Sequence, residues 1–268
     1  MNVPIRRARL DGREASLAIL SGSHAASGAV EQALDAARSE GCVLALLVSS
    51  VDLSNLDAAG GIPPGFVLLP ASEAACYARM PVPWPKEPKW VEAGEPEEAV
   101  PGLRPARPAD LDALAAIHDA SIAPQRFRVL RDRPLWGRIL RAPNAPRSAS
   151  GRQSSRVLVI VKGSTAVAYA VLEETPAALV FKEHGAEAGN SDCLVDLFWV
   201  VLARARRAGL RKIEGWHLPP AVASQALYPV ARRARTSPAL LLRSLDPALD
   251  LPAFTDEDEC RVGVLDLP

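Results

Sequence analysis

Residues Arg156–Glu174 read RVLVIVKGSTAVAYAVLEE. Val157, Val159 and Val161 alternate with Leu158 and Ile160, so almost every position is apolar and β-branched side chains dominate. That composition suits a strand covered on both faces. Gly163 interrupts the run within Lys162–Thr165, and Ala166–Leu172 resumes it, which predicts a β-hairpin. A hairpin this apolar belongs in the middle of a sheet with helices packed on it.

Going outward, Asp110–Ala120 follows Pro108 with acidic residues in its first turn, as a helix start should. Leu111, Leu114, Ala115 and His118 share one face of it, which places His118 as a buried histidine. Pro134–Leu140 predicts a shorter helix and Ala178–Lys182 a third strand, with Gly185–Asp192 as a loop. Cys193–Gly209 carries Leu194, Leu197, Phe198, Val201, Leu202 and Ala205 at helical spacing. Lys212–Trp216 reads as a strand, Ala221–Arg235 as a helix, Ala239–Leu245 as a strand and Arg261–Leu265 as an edge strand.

Toward the N-terminus, Ile5–Leu10 and Glu14–Leu20 flank Asp11-Gly12, a dipeptide that favours a tight type I′ turn. SGSHAASG (Ser21–Gly28) is a small-residue loop that opens a helix ending at Gly41. Cys42–Val48 and Gly65–Leu69 follow as strands. Eight prolines between Met80 and Pro108 exclude a continuous helix and mark a boundary, with Trp84 and Trp90 pinning the segment to a neighbouring surface. The division expected is 1–80, a Pro-rich linker 81–100, and 101–268.

The 31 basic and 31 acidic residues cancel, which gives no global field for nucleic acid or anionic lipid. All but five of the basic residues are arginine, so Arg126, Arg128, Arg131 and Arg133 read as a solvated face. The cysteines Cys42, Cys76, Cys193 and Cys260 are too scattered for a disulfide framework or a metal site. No apolar run reaches the ~18 residues of a membrane span, and no signal-like segment follows the basic start. A cytoplasmic protein with no metal is expected.

Both halves repeat one order: hairpin, strand, short loop, long helix ending in Gly, strand, helix, strand. This order resembles the GNAT (GCN-five-related) N-acetyltransferases, and in particular their tandem members. LRPARPADLDALAAIHDA (Leu103–Ala120) resembles the first strand and helix of such a domain. EQALDAARSEGCVLALLVSS (Glu31–Ser50), PPGFVLLP (Pro63–Pro70) and GWHLPP (Gly215–Pro220) resemble its third helix with fifth strand, its sixth strand, and the end of its fifth strand. The resemblance implies an α/β fold, a mixed and mostly antiparallel sheet flanked by helices, with a partial N-terminal half. That half lacks the family's first strand and first two helices, so its sheet edge needs covering by the second half or by another copy.

The resemblance also implies acetyl-CoA as co-substrate and a small-molecule or peptide amine as acceptor. The family's Q/R-x-x-G-x-G/A loop sets backbone N–H groups and a helix dipole against the diphosphate. In the first half Leu20, Ser21, Gly22, Ser23, His24, Ala25 and Ala26 stand there, small and uncharged but without the Arg. In the second half Gly189, Asn190, Ser191 and Asp192 do, and Asp192 is expected to cap the helix and repel a diphosphate. Family chemistry needs a base for the amine and an acid for the leaving thiolate. Glu183 or His184 corresponds to the base, with His217 opposite, and Tyr228 to the acid. Each has a plainer reading, as a strand-end residue in solvent or a tyrosine packed with its hydroxyl at the surface. The alternative function is a GNAT pair that has lost catalysis and persists as a binding or structural protein.

Overall fold

Two pieces of the Pro-rich segment are helical. Lys89–Ala93 and Pro96–Ala99 form two short helices, α2 and α3. Val91 and Val100 are fully enclosed, and Trp90 packs on the same core. The structure, a computed structural model, describes residues 4–22, 27–49, 61–70, 73–79, 88–93, 96–141, 157–175, 177–216, 222, 231–234, 239–254 and 260–262. Two compact units emerge: residues 1–72, 122–131 and 234–268 in the first, 73–121 and 132–233 in the second.

In the second unit Val157–Lys162 (β8) and Thr165–Glu174 (β9) pair antiparallel around the Gly163 turn, as expected. Leu103–Pro105 (β6) flanks β8, Ala178–Ala186 (β10) flanks β9, and Lys212–Trp216 (β11) runs parallel to β10. The hairpin therefore lies inside the sheet, and β8 and β9 are buried almost throughout. One face is covered by Asp192–Arg207 (α6), whose Leu197, Phe198, Val201 and Leu202 are fully enclosed. Each such side chain contributes about 1.5–3 kcal/mol of apolar burial. α6 is sandwiched, because α2 and α3 pack on it as well. The other face carries Leu111–Ser121 (α4), entered through a 3-10 turn at Pro108–Asp110, and Arg133–Arg141 (α5) packs against α4.

In the first unit Ile5–Leu10 (β1) and Arg13–Gly22 (β2) form the expected hairpin. Asp11 and Gly12 both take positive φ, 46° and 81°, the requirement of a type I′ turn. Ser27–Ser39 (α1) leads to Leu44–Ser49 (β3), which lies parallel to β2.

The sheets depart from the expected division at 80 and 100. Glu73–Arg79 (β5) pairs antiparallel with β11 in the second sheet. Ala239–Ser244 (β13) inserts in the first sheet between β3 and Phe66–Leu68 (β4). Each half of the sequence thus donates a strand to the other's sheet. The sheet edge of the first half, expected to need covering, is covered from the second half at β1: Phe127–Leu130 (β7) pairs with β1, and Cys260–Arg261 (β14) pairs with β7.

Three local expectations change. Residues Ala231–Ala234 (β12) form a strand in the second sheet, not the end of a helix. Gly185 and Ala186 continue β10 instead of opening a loop. The arginines around Phe127 are not a solvated face: Arg128 and Arg131 are buried. Arg128 donates from Nη1 to the carbonyls of Ala123 (2.8 Å) and Gln125 (2.7 Å). Arg126 pairs with Asp11 at 2.9 Å and Arg133 with Asp112. Among the described residues no helix is long and apolar enough to cross a membrane.

Candidate functional site

Strand β10 changes character halfway along. Up to Phe181 it pairs with β9 on one side and with β11 on the other, Phe181 standing opposite Leu172 and Gly215. Both Phe181 and Leu172 belong to the core under α6. A β-bulge follows at Lys182, and the register resumes with Glu183 opposite Val171 and Gly185 opposite Tyr169. The extra residue reverses the alternation, as bulges do. Glu183 and Gly185 therefore face α4, and His184 returns to the face of Phe181, on which its ring stacks at 5.3 Å. Among the described residues the parallel pairing with β11 runs from Ala178↔Lys212 to Phe181↔Gly215, and β10 continues to Ala186, with Glu183 two residues beyond that last pair.

Glu183 is not a solvated strand-end residue. It is 5% exposed. The hydroxyl of Tyr169, from β9, donates to its Oε1 at 2.7 Å. Nδ1 of His118, from α4, lies 3.2 Å from that hydroxyl and 3.5 Å from the same Oε1. Trp136 of α5 meets both rings edge-on, at 6.0 Å from His118 and 5.2 Å from Tyr169. His118 is buried, as its helical position predicts, and it belongs to a polar cluster that the sequence did not reveal. Tyr169 and Gly185 were both missed. The available signal was Tyr169 itself, the only hydroxyl between Ala166 and Leu172, since a buried tyrosine hydroxyl needs a partner.

The bulge separates the other expected residues. Glu183 and His184 are on opposite faces and do not converge. His217 and Tyr228 lie outside the described residues. Of the first-half loop, Ser21 and Gly22 are not loop at all: they extend β2, opposite Val48 and Ser49. Leu20 faces the core beside α1, and Ser21 is exposed. Ser23, His24, Ala25 and Ala26 lie outside the described residues.

At the start of α6 the expected cap is absent. The N–H groups of Cys193 and Leu194 donate to the carbonyls of Asn190 and Ser191, each at 3.0 Å. Asp192 is exposed in the first turn, and the N-cap residue Ser191 makes no side-chain cap hydrogen bond. Its carboxylate stays near the first turn, where it helps push the Asp196 carboxyl upward, after partial burial and against the pull of Lys162. Lys162 donates to Asn190 Oδ1 at 2.7 Å. Among the described residues no cluster of metal-ligating side chains is present.

No protein-family model and no curated protein matches the chain. Solved structures do. A conserved protein of Enterococcus faecalis V583, described as a "Probable N-Acyltransferase", aligns over 91% of this chain with a TM-score of 0.56 and 11% identity. A GCN5-related N-acetyltransferase from Kribbella flavida aligns over 91% with a TM-score of 0.56 and 13% identity. One from Anabaena variabilis does so with a TM-score of 0.54 and 12% identity. The chain spans 57–59% of the length of these three structures. Identity this low speaks to architecture, and the parallel pair β10–β11 beside α6 agrees with it. The chain has the fold of the GCN5-related N-acetyltransferases.

Proposed function

We propose that this protein is an acyl-CoA-dependent N-acetyltransferase acting on an amine. One observation carries the reading: a bulge just past the Phe181↔Gly215 pair of β10 and β11 turns a carboxylate, Glu183, inward. In enzymes of this fold the acyl group enters where those two strands part. Glu183 takes a proton from the ammonium form of the acceptor. The freed amine nitrogen attacks the thioester carbonyl, a C–N bond forms and the C–S bond breaks. The departing thiolate takes a proton from an acid, the role proposed for Tyr228; His184 is the alternative base, with His217 opposite. The cradle for the diphosphate is either the start of α6 or the segment Leu20–Ala26. A cytoplasmic enzyme fits the reduced thiols of Cys42 and Cys193.

The test is thiol release from acetyl-CoA across a panel of primary amines. Removing a general base costs about 10²–10⁴-fold in rate, so Glu183→Gln should lose at least 100-fold. A second reading rests on its own observation: Asp192 and Asp196 stand at the start of α6, where a diphosphate needs uncompensated N–H groups. On that reading the chain is a non-catalytic GNAT-fold protein that binds a partner. An absence of acetyl-CoA binding at millimolar concentration selects it.

A further inference from the structure

The direction of the hydrogen bonds among Glu183, Tyr169 and His118 follows from counting protons. Tyr169 has one hydroxyl proton, and it is given to Glu183 Oε1. Toward His118 Nδ1, 3.2 Å away, the same oxygen must therefore accept, and Nδ1 must carry the hydrogen. His118 Nε2 is buried and has no partner among the described residues. The reverse order would need a protonated Glu183 to feed Tyr169 and Tyr169 to feed Nδ1, and a protonated carboxyl could not take a proton from an amine.

The surroundings hold this order in place. Trp136 packs edge-on against both rings. Gly185, opposite Tyr169, leaves room for the phenol: a Cβ there would stand 2.6 Å from Tyr169 Cε1 and 3.1 Å from Ile117 Cγ2. His118 is also anchored on its helix, with its carbonyl accepting from Ser121 Oγ at 2.8 Å.

We infer that His118 and Tyr169 are positioning residues that form a one-way hydrogen-bond chain, His118 Nδ1–H to Tyr169 O–H to Glu183, and present the Glu183 carboxylate as a fixed proton acceptor. The inference rests on the acyltransferase reading for the proton that Glu183 takes. In this chain His118 is the terminal donor, from Nδ1, and Glu183 is the group that takes the proton.

Two measurements on the full-length chain test it. The ¹⁵N shifts of His118 in histidine-labelled protein should report the Nδ1–H tautomer at neutral pH. In steady-state kinetics, Tyr169→Phe keeps the ring and should lower kcat about 10- to 100-fold, the worth of a hydrogen bond to a charged group. KM for both substrates should stay within about twofold, since neither residue is placed against substrate. His118→Asn keeps a donor near Nδ1 and should retain most of kcat, whereas His118→Leu should fall to the level of Tyr169→Phe. An Nε2–H tautomer in an active enzyme overturns the chain and leaves the acyltransferase reading standing. Equal losses in His118→Asn and His118→Leu, or an unchanged kcat in Tyr169→Phe, overturn it too. A wild-type protein with the Nδ1–H tautomer that acylates no amine overturns the acyltransferase reading, and with it the role given to the chain. Should His118→Leu fail to fold, the tautomer and Tyr169→Phe still decide.

Discussion

The hydroxyl of Tyr169 on β9 donates a 2.7 Å hydrogen bond diagonally across the ladder to Oε1 of Glu183 on β10. The residue directly opposite Tyr169 is Gly185, and Glu183 stands two positions before it. Diagonal contacts of this kind are within reach of long side chains on one face. Here the bulge at Lys182 puts the carboxylate on that face, and the glycine lets the phenol lie flat enough to reach it.

Gly185→Ala tests this arrangement without touching a polar group. The added methyl collides with a tyrosine ring confined by Trp136 and cannot be accommodated by a free rotor. Overpacking of a closed core costs about 1–3 kcal/mol. Urea denaturation should show that loss, and kcat should fall in parallel as Tyr169 is displaced. Unchanged stability would show that the ring has somewhere to go.

Asp110 gives a pH-dependent prediction. Arg104 holds its carboxylate from both guanidinium ends, at 2.7 Å each, and the Arg107 N–H adds a third bond at 2.7 Å. The Arg104 hydrogen bonds, chiefly, keep the Asp110 carboxyl below its ordinary 3.8, against the cost of burial. A carboxyl lowered on folding contributes stability above its unfolded value and loses it as pH falls through its folded value. Asp110→Asn should therefore cost about 1–3 kcal/mol at pH 7. The gap to wild type should close below about pH 4. Unfolding curves at pH 7 and pH 3 make the comparison, and a gap that widens in acid would refute it.

Acetyl-CoA should raise Tm if the chain is an acyltransferase. A ligand at a hundredfold excess over its Kd stabilises by about 2.7 kcal/mol, which is several degrees in a domain of this size. If Leu20–Ala26 is the diphosphate cradle, Ala25→Asp abolishes the shift and Asp192→Asn leaves it intact. If the start of α6 is the cradle, Asp192→Asn enlarges the shift and Ala25→Asp leaves it alone. We expect the first pattern, since only that segment carries no acid at its helix start.

Residues 1–80 should not fold alone. Without β7, the outer edge of β1 is bare, and without β13, β4 has no strand to pair with and β3 loses a neighbour. In the intact chain β5 belongs to the other sheet. Heating the isolated fragment should give no cooperative transition. A sharp transition in a monomer would show that the exchanged strands are dispensable.

By itself, the sequence determined the elements whose signals are local. The β8–β9 hairpin follows from an apolar run broken at Gly163, and the β1–β2 turn follows from Asp11-Gly12. α6 follows from its spacing of Leu197, Phe198 and Val201, and the burial of His118 from its place on an apolar helix face. The sequence's resemblance also implied a first half whose sheet edge needs covering. Tertiary structure alone decided which distant segments fill the gaps, because a sheet edge is satisfied by any backbone of the right register, whatever its separation along the chain. Phe127–Leu130 therefore became a strand of the first sheet, and Arg128 became a buried donor to backbone carbonyls. The same holds at the site. One extra residue at Lys182, invisible in composition or periodicity, sends Glu183 to one face and His184 to the other. That bulge, and not the identity of either residue, selected the carboxylate as the group that meets Tyr169 and His118.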